Sequence, residues 1–404
     1  MITFSCNEIN IKDYYIYLQI MRKLLKSALC LLMFCCPLLL EAQYCRQDKC
    51  APDLPSPRSL SFGPDTVSIT FLGDVMMHKG QIDNALREDG SYAFPTYFKE
   101  ILHLTKAPDL AVANMEFTLA GPPYSGYPCF SAPYEYADEV RRSGVDVFLT
   151  ANNHILDKGA TGFRRTLMHY GDLATEDIFY TGSAPDPESD TRLNPLLLSV
   201  RGVRIALVNF TYGTNVPMGD GEALVHRTDT TWLSAAIKTA REAKVDFIFA
   251  LPHWGTEYSL RSDRAQERLA SWLASKGCDA VIGTHPHVPQ NIDTLFAELP
   301  GGRRKAVPVV YSLGNLVSNM SAPNTRVGLA ATLRIAVDAE GNKTLLPLQT
   351  TFTWCTRPGT LTTSYCVIPL EAYLGRRDEW IAPYDYDNML ENYRRVKQIT
   401  QIEE

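Results

Sequence analysis

The sequence predicts an α/β fold, a layered sandwich in which central β-sheets are flanked by helices. The chain has 404 residues, of which 45% are hydrophobic and 21% are charged, so it can bury a large core. Short β-branched or aromatic runs recur and end abruptly in polar residues, which is typical of strands buried on both faces of a sheet. These runs cover residues 67–72, 110–113, 147–150, 204–210, 247–251, 280–282 and 309–313.

Two segments between these runs have apolar residues at helical spacing. One covers residues 231–244, and the other lies between Ser262, the expected N-cap, and Gly277, the expected end. Alternating strands and helices predict an α/β core, in which sites form beyond the carboxyl ends of the strands. The apolar faces are Leu233, Ile237 and Ala240 in the first segment, and Ala265, Leu269, Trp272 and Leu273 in the second.

Residues 1–42 are predicted to be an export signal. Met21–Lys26 is basic, the run from Ala28 to Leu40 is uncharged and apolar, and Ala42 offers a small residue before a cleavage point. The apolar run is shorter than the roughly 20 residues that a membrane-spanning helix needs. Met21 is the expected start. The alternative is an uncleaved N-terminal anchor. In both cases we expect an exported protein, periplasmic or at the cell surface.

The rest of the chain is predicted to contain a main domain at residues 67–325 and two flanking segments. Residues 43–66 contain four prolines and no apolar periodicity, so they are predicted to form a tether. Residues 326–404 are predicted to form a C-terminal extension. It consists of a β-hairpin that turns at Gly341 and a helix that begins near Tyr386.

Six of the ten cysteines follow the predicted signal, and an even number in an exported chain permits disulfides. The candidate pairs are Cys45 with Cys50 and Cys355 with Cys366. None of the cysteine spacings is that of a zinc finger, so we expect no cysteine-based structural metal site.

The charge balance argues against nucleic acid as a partner. The chain has 39 basic and 45 acidic residues, a net charge of −6, and no basic run. Nucleic-acid binding requires clustered Lys and Arg to neutralise phosphates. We therefore expect no nucleic-acid partner.

Imidazole, carboxylate and amide side chains follow directly after several apolar runs. Together these groups suit a borderline divalent cation such as Mn, Fe, Zn or Co. Singly, each has an ordinary explanation, because an aspartate after a strand often caps a turn and a histidine beside a tryptophan often only packs. Their joint occurrence at the ends of five strands favours a metal site. The residues are Asp74, Glu116, Asn153, His154, His253, His285 and His287.

The polar clusters form six motifs over about residues 67–320. They are Gly73-Asp74-Val75-Met76, Asn114-Met115-Glu116, Ala151-Asn152-Asn153-His154 with Asp157 and Gly159, His253-Trp254-Gly255 with Glu257-Tyr258, Gly283-Thr284-His285-Pro286-His287-Val288 with Gln290, and Tyr311-Ser312-Leu313-Gly314-Asn315. With these motifs the sequence resembles the CapA-type capsule synthesis (poly-γ-glutamate biosynthesis) family, a branch of the calcineurin-like metallophosphatase superfamily. The resemblance implies a metallo-dependent phosphatase-like fold.

The resemblance also implies roles for the candidate residues and one or two divalent metal ions, Mn, Fe, Zn or Co. Asp74 corresponds to a metal ligand after the first strand, and Glu116 stands where the superfamily has a bridging aspartate. His154 resembles the histidine that protonates a leaving group or stabilises charge on the transferred phosphoryl group. Asn153, His253 and His285 are implied ligands of one metal, and His287 of the other.

One position departs from the superfamily pattern. Met76 stands where classical metallophosphatases have a histidine, and a thioether is a poor ligand for hard or borderline cations. His78 would need a bulge in the chain to replace it. We therefore predict that one metal site is weakened and filled only at high metal concentration.

Other residues near the motifs have two interpretations each. Residues 120–133 combine prolines with aromatic residues and form either a substrate-facing rim or a stiff surface loop. Glu257, Tyr258 and Gln290 either support the ligands and substrate or only bond their own loops.

The function implied is that of an exported, metal-dependent phosphoesterase-like hydrolase in capsule or poly-γ-glutamate synthesis. Its substrate would be an anionic polymer or a phosphoester, and membrane-bound polymer synthesis machinery would be its partner. Two alternatives stay open. One is a noncatalytic polymer-binding or assembly subunit with a vestigial metal site. The other is a metal-dependent amide hydrolase, since a Lewis acid also polarises carbonyls.

Overall fold

Two mixed β-sheets pack face to face in the computed structural model, and helices cover their outer faces. The structure describes residues 65–173, 178–217, 224–298 and 304–403. The predicted export signal, the predicted tether up to residue 64 and the candidate pair Cys45–Cys50 lie outside these residues. The predicted fold class, an α/β sandwich of sheets flanked by helices, is confirmed.

Strands recur along the whole described chain. In order they are β1 (Asp65–Val75), β2 (Leu110–Met115), β3 (Val147–Leu149), β4 (Phe179–Thr181), β5 (Ser183–Ala184), β6 (Leu196–Val200), β7 (Val203–Thr211), β8 (Leu224–Val225), β9 (Phe247–His253), β10 (Ala280–Ile282), β11 (Ile292–Glu298), β12 (Arg304–Val310), β13 (Asn315–Val317), β14 (Val327–Val337), β15 (Lys343–Leu345), β16 (Gln349–Thr356) and β17 (Cys366–Pro369).

Helices lie between the strands. The α-helices are α1 (Lys79–Ala85), α2 (Leu102–Thr105), α3 (Tyr134–Arg142), α4 (Gly159–Leu173), α5 (Pro187–Leu193), α6 (Thr230–Glu242), α7 (Arg264–Lys276) and α8 (Pro383–Thr400), and single 3-10 turns occur at Lys99–Ile101, Glu371–Tyr373 and Arg377–Glu379. Within the described residues, no helix combines the length and the apolar character needed to cross a bilayer.

The first sheet is built around β1. Its strand order is β17-β16-β14-β1-β2-β3-β4, with β13 paired to the end of β1 and β15 paired to β14. Strands β1 to β4 run parallel, whereas β14 is antiparallel to β1. The carboxyl ends of β1, β2 and β3 therefore lie at one edge of this sheet.

The second sheet has the same general plan. Its order is β11-β12-β10-β9-β7-β6, with a parallel centre and antiparallel strands at both sides. Its central strands β9 and β10 also end at a common edge. A separate two-stranded sheet pairs β5 with β8.

The hydrophobic core lies in three layers. Side chains of both sheets meet between them, where the Phe71 ring on β1 contacts the Phe249 ring on β9 edge to face, with centroids 6.0 Å apart. Outside the first sheet, helices α3 and α4 pack, and outside the second sheet α6 and α7 pack. Because both faces of the central strands are buried, their sequences are almost continuously apolar.

The helix α7, between β9 and β10, begins one residue later than predicted. Asp263, and not Ser262, caps α7, because its carboxylate accepts the backbone N–H groups of Ala265 and Gln266. Gly277 ends the helix in a left-handed conformation, φ +101°, as expected. The buried face is also shifted, to Gln266, Ala270, Leu273 and Ala274.

The C-terminal segment contains the predicted hairpin and terminal helix. The hairpin turns at Gly341, whose φ is +81°, and the returning chain forms the two strands β15 and β16. Its first strand, β14, lies inside the first sheet between β1 and β16. The proposed boundary between residues 325 and 326 stays a prediction.

The candidate disulfide between Cys355 and Cys366 is wrong. Both thiols are free and buried, although they lie on the neighbouring strands β16 and β17. Cys366 stands opposite Thr356, and Cys355 stands opposite Val367. Successive side chains alternate between the faces of a sheet, so the two sulfurs lie in different cores, Cys366 between the sheets and Cys355 on the outer face.

Two bidentate Arg–Asp pairs, one buried and one exposed, allow a prediction about the stability of the protein. Arg326 at the base of β14 binds Asp385 of α8 at 2.6 and 2.7 Å, and both side chains are at least nine-tenths buried. Replacing Asp385 by alanine leaves an unpaired buried guanidinium, so the free energy of unfolding should fall by about 3–5 kcal/mol in a denaturant titration.

The control is the exposed pair Arg377–Asp387. It is also bidentate, through Nε and Nη2 of the arginine. Asp387→Ala should change the unfolding free energy little, since water screens this pair. Equal losses for the two variants would show that burial of the first pair does not matter.

Candidate metal centre

The six predicted metal ligands come together at the carboxyl ends of strands from both sheets. Asp74 lies near the end of β1, Glu116 directly follows β2, and Asn153 lies in the turn after β3. From the second sheet, His253 ends β9, and His285 with His287 follow β10. Each of the six side chains is at most 3% exposed. Two sheets thus contribute to one buried cluster.

The donor atoms of this cluster form overlapping groups. In each group all ligand atoms lie within 4.8 Å of one another. Asn153 joins them through its Oδ1, which lies 2.8 Å from His253 Nε2. Glu116 is shared by two groups, as a bridging carboxylate would be. The groups are Glu116 with His253 and His285, Asp74 with Glu116 and His287, and Glu257 with His285 and His287.

The surroundings of Glu116 fit a cation. Its carboxylate is completely buried, and neither oxygen has a hydrogen-bond partner among the described residues. Its Oε1 lies 3.6 Å from His253 Nε2 and 3.9 Å from His287 Nε2. Burial, and then the nearby Asp74 carboxylate, raise the pKa of Glu116 well above its ordinary value. A cation between these groups would balance the buried charge.

Two histidines of the cluster, His253 and His285, are held in the neutral form that binds metals. Burial, and then the neighbouring His285, lower the pKa of His253 well below its ordinary value. Burial, and then His287, lower the pKa of His285 to about 3. The Nδ1 atom of His285 is buried and has no hydrogen-bond partner among the described residues. Neutral imidazoles with free nitrogens are suitable ligands.

His154 lies beside the donor cluster and is oriented by Asp157. Its Nδ1 is 2.7 Å from Asp157 Oδ2, which also accepts the backbone N–H of Phe130 at 2.8 Å. The Phe130 ring packs edge to face against the imidazole, with centroids 4.6 Å apart. The ring is thereby fixed in place.

Three residues that orient the ligands were not among the candidates from the sequence. Asn114 donates to Asp74 Oδ1 at 2.7 Å, and it stands opposite Asp74 in the register of β1 and β2. Asn315 Oδ1 lies 3.0 Å from His287 Nδ1, and Thr284 Oγ1 lies 3.0 Å from His253 Nδ1. All three residues belong to the six motifs. Their position next to the ends of apolar runs was the feature of the sequence that could have identified them.

Met76 packs in the apolar core, and His78 lies outside the donor groups of the described residues. Met76 is 2% exposed and packs in the apolar cluster outside the first sheet. The His78 ring packs against Phe130, and its Nδ1 lies 3.3 Å from Gln81 Oε1 and accepts the backbone N–H of Asn319 at 3.3 Å. The described residues contain no donor group that includes His78. The weakening of one metal site stays a prediction.

The backbone is strained at His285 and His287, the two histidine ligands that follow β10. His285 has φ +99° and His287 has φ +59°, values that residues other than glycine rarely adopt. Each such residue costs on the order of 1–3 kcal/mol. Gly283 precedes them where a Cβ atom would lie 2.2 Å from the Tyr311 carbonyl oxygen. Close packing therefore determines how this segment presents its imidazoles.

Aromatic and acidic side chains surround the cluster on its exposed side. The Tyr212 ring lies 4.6 Å from the His285 ring, and the Tyr258 ring lies 6.2 Å from the His287 ring. Both tyrosines and Glu257 are exposed. Tyr127, in the predicted rim loop 120–133, is 74% exposed. Tyr212 lay outside the sequence-based candidates.

The fold and the site together define a class of protein. Two facing sheets flanked by helices carry carboxylate, amide and imidazole donors at their strand ends, which is the arrangement of an α/β protein with a candidate metal centre. Residues 68–320 match the family described as bacterial capsule synthesis protein PGA_cap. The chain belongs to this family.

Individual relatives are more distant. The chain is 28% identical over 277 residues to capsule biosynthesis protein CapA of Bacillus anthracis, a match that covers 65% of this chain and 62% of that protein, less than two thirds of its length. It is 24% identical over 313 residues to PGA biosynthesis protein CapA of Bacillus subtilis (strain 168), covering 72% and 74%. The calcineurin-like phosphoesterase YfkN of Bacillus subtilis has a similar structure, with a TM-score of 0.39 and 14% identity over 83% of this chain and 99% of that one.

Replacing Glu116 by glutamine should abolish stabilisation of the protein by Mn²⁺ or Zn²⁺. For the protein without the substitution, the free energy of unfolding should rise by about 2.7 kcal/mol at a free-metal concentration about 100 times Kd. Without metal, the variant should be about as stable, because the raised pKa of Glu116 already favours its neutral form and the amide is neutral as well. Chemical unfolding after chelation, with and without added metal, measures both effects.

The control for this experiment is Glu242→Gln, at an exposed position at the end of α6. This variant should keep the full stabilisation by metal. Undiminished stabilisation of Glu116→Gln would contradict a ligand role for Glu116.

Proposed function

We propose that this chain is a metal-dependent, phosphoesterase-like hydrolase that acts in the synthesis of an extracellular capsular polymer. The single observation that carries the proposal is the buried Glu116 carboxylate, shared by two donor groups and without a hydrogen-bond partner in the described part of the chain. A shared carboxylate favours two neighbouring cations rather than one. Membership of the capsule synthesis family supports the polymer context.

The donor groups divide into two sets that share Glu116. Asp74 and His287 form one set with it, and His253 and His285 form the other together with Asn153. Bound divalent cations would supply Lewis acidity and a water of lowered pKa. The protein's own contribution is to hold six donors rigidly in a buried site through hydrogen bonds such as that from Asn114 to Asp74.

His154 is the proposed general acid. Asp157 and Phe130 hold its imidazole beside the cluster, so a substrate oxygen bound there would lie near a positioned proton donor. Transfer of a proton from this ring to the leaving oxygen would prevent the build-up of alkoxide charge as the ester bond breaks. The Asp157 carboxylate would stabilise the protonated ring before the transfer.

The substrate and the cellular setting are part of the proposal. We propose an anionic polymer or a phosphoester as substrate, membrane-bound polymer synthesis machinery as a partner, and export as the route to it. The names of the relatives from Bacillus anthracis and Bacillus subtilis, which refer to capsule biosynthesis and PGA biosynthesis, support the polymer context.

Two alternative functions have specific support. Met76 packs in the core and offers no donor to the cluster, which favours a vestigial metal site in a noncatalytic polymer-binding or assembly subunit. The same donors would also suit an amide hydrolase, since a cation that polarises a phosphoryl oxygen polarises a carbonyl as well.

Hydrolysis of bis-p-nitrophenyl phosphate with added Mn²⁺ tests the leading proposal. His154→Ala should lower kcat by roughly 100- to 10,000-fold while the bound metal content stays unchanged, because His154 moves a proton and does not belong to the donor groups. Asn153→Ala should lower both activity and metal affinity.

The matched control is His226→Ala. His226 also lies 2.7 Å from a carboxylate, that of Asp190, but it is outside the donor cluster. Its replacement should leave kcat unchanged. A metal-loaded protein that hydrolyses γ-glutamyl amides and no phosphodiester would support the amide hydrolase, and one that hydrolyses neither would support the assembly subunit.

A further inference from the structure

The third donor group contains a carboxylate that differs from all the others. Glu257 lies with His285 and His287, and the ligand atoms of the three residues are within 4.8 Å of one another. The six predicted ligands are buried, whereas Glu257 is exposed. Its two imidazole neighbours belong to different donor sets of the centre. Glu257 therefore faces both cation positions from the solvent side.

Hydrogen bonds fix the loop that carries Glu257 against the segment with these histidines. The backbone N–H of Tyr258 donates to the Pro286 carbonyl at 2.8 Å. The fully buried Gln290 donates to the carbonyls of Ser259 and Arg261 at 2.9 and 3.0 Å. The position of Glu257 beside the two imidazoles is thus set by the fold.

The backbone at the start of this loop is constrained as well. Tyr258 has φ +65°, and Gly255 has φ +94°, where a Cβ atom would lie 2.6 Å from the Gln266 side chain. A non-glycine residue in the left-handed region costs free energy, and such strain is found most often at functional sites. The strained Tyr258 directly follows Glu257 and packs against the His287 ring.

The two cation positions have unequal numbers of buried donors. Glu116, Asn153, His253 and His285 surround one position, whereas the other has Asp74, Glu116 and His287. His285 also has a buried nitrogen, Nδ1, with no hydrogen-bond partner in the described part of the chain. The position with His287 therefore has one donor fewer, and Glu257 lies in a donor group that includes His287.

We infer that Glu257 is a seventh ligand of the metal centre, which completes the cation position next to His287 from the solvent side. A carboxylate donor there adds a fourth ligand to the poorer set. Because it is exposed, it is also the ligand that can be exchanged when a substrate anion arrives. This inference rests on the proposed metal centre, and it assigns to Glu257 a role in metal affinity.

Calorimetric titration of the metal-free protein with Mn²⁺ tests this role. The unreplaced protein should bind two ions. In Glu257→Gln, the affinity for one ion should fall by more than the roughly 10- to 100-fold that loss of an outer-shell partner costs, while the affinity for the other stays the same. Titration with Co²⁺ should show a changed visible absorption spectrum for the weakened site, because the spectrum reports the ligand set.

High salt distinguishes a ligand from a charge that acts at a distance. At about 1 M salt the Debye length is only about 3 Å, so a long-range effect of the Glu257 charge would be screened. The loss in Glu257→Gln should persist under these conditions. Glu242→Gln, which removes an exposed charge at the end of α6, before the start of β9, should bind both ions normally.

The outcomes separate this inference from the proposed function. Two ions bound equally well by Glu257→Gln, or a difference that disappears at high salt, would overturn the role of Glu257 and leave the metal centre intact. If the unreplaced protein binds no Mn²⁺, Zn²⁺ or Co²⁺ at all, the metal centre and the inference both fail. Equal unfolding free energies of the metal-free proteins would show that the substitution leaves the fold unchanged.

Discussion

The structure depends on one unfavourable arrangement, a carboxylate buried among imidazoles without a hydrogen-bond donor. Glu116 is completely inaccessible to water, and burying its charge without a partner is so unfavourable that its pKa is raised and the neutral form is favoured in the absence of a cation. The protein tolerates this only where a large packed fold holds the group in position. Burial lowers the pKa values of His253 and His285, so these two imidazoles are neutral and would not compensate a charge on Glu116. A polypeptide would gain nothing from such a site for stability alone, which supports a function that involves cations.

The two-sheet architecture explains how donors that are far apart in sequence reach this point. Parallel strands end at a common edge, and the apolar layer between the sheets, which includes Phe71 and Phe249, holds the sheets together so that both edges meet. Short turns after β3 and β10 then direct side chains inward. The left-handed conformations of His285 and His287 show that the backbone is strained to orient the imidazoles. The strain is sustained by the packing beneath it.

The fold class could be predicted because both faces of the central strands are buried, which makes each strand a continuous apolar run that ends where the site begins. The register between strands could not be predicted, because pairing is decided by contacts between distant segments. For this reason the thiols of Cys355 and Cys366 were expected to meet and instead lie on opposite faces. The role of Asn114 was missed for the same reason, since only the register places it beside Asp74.

The charges at the centre explain why cations and an anionic substrate would depend on each other. Asp74, Glu116 and Glu257 contribute three carboxylates, and the surrounding imidazoles of His253 and His285 add no positive charge. Without metal, the site would therefore repel an anion, and the acidic chain as a whole, with a net charge of −6, would do so as well. Two divalent cations would reverse this sign locally, with one positive charge in excess. The proposed preference for an anionic polymer or phosphoester would therefore come from the bound metal, while the polypeptide would supply the geometry.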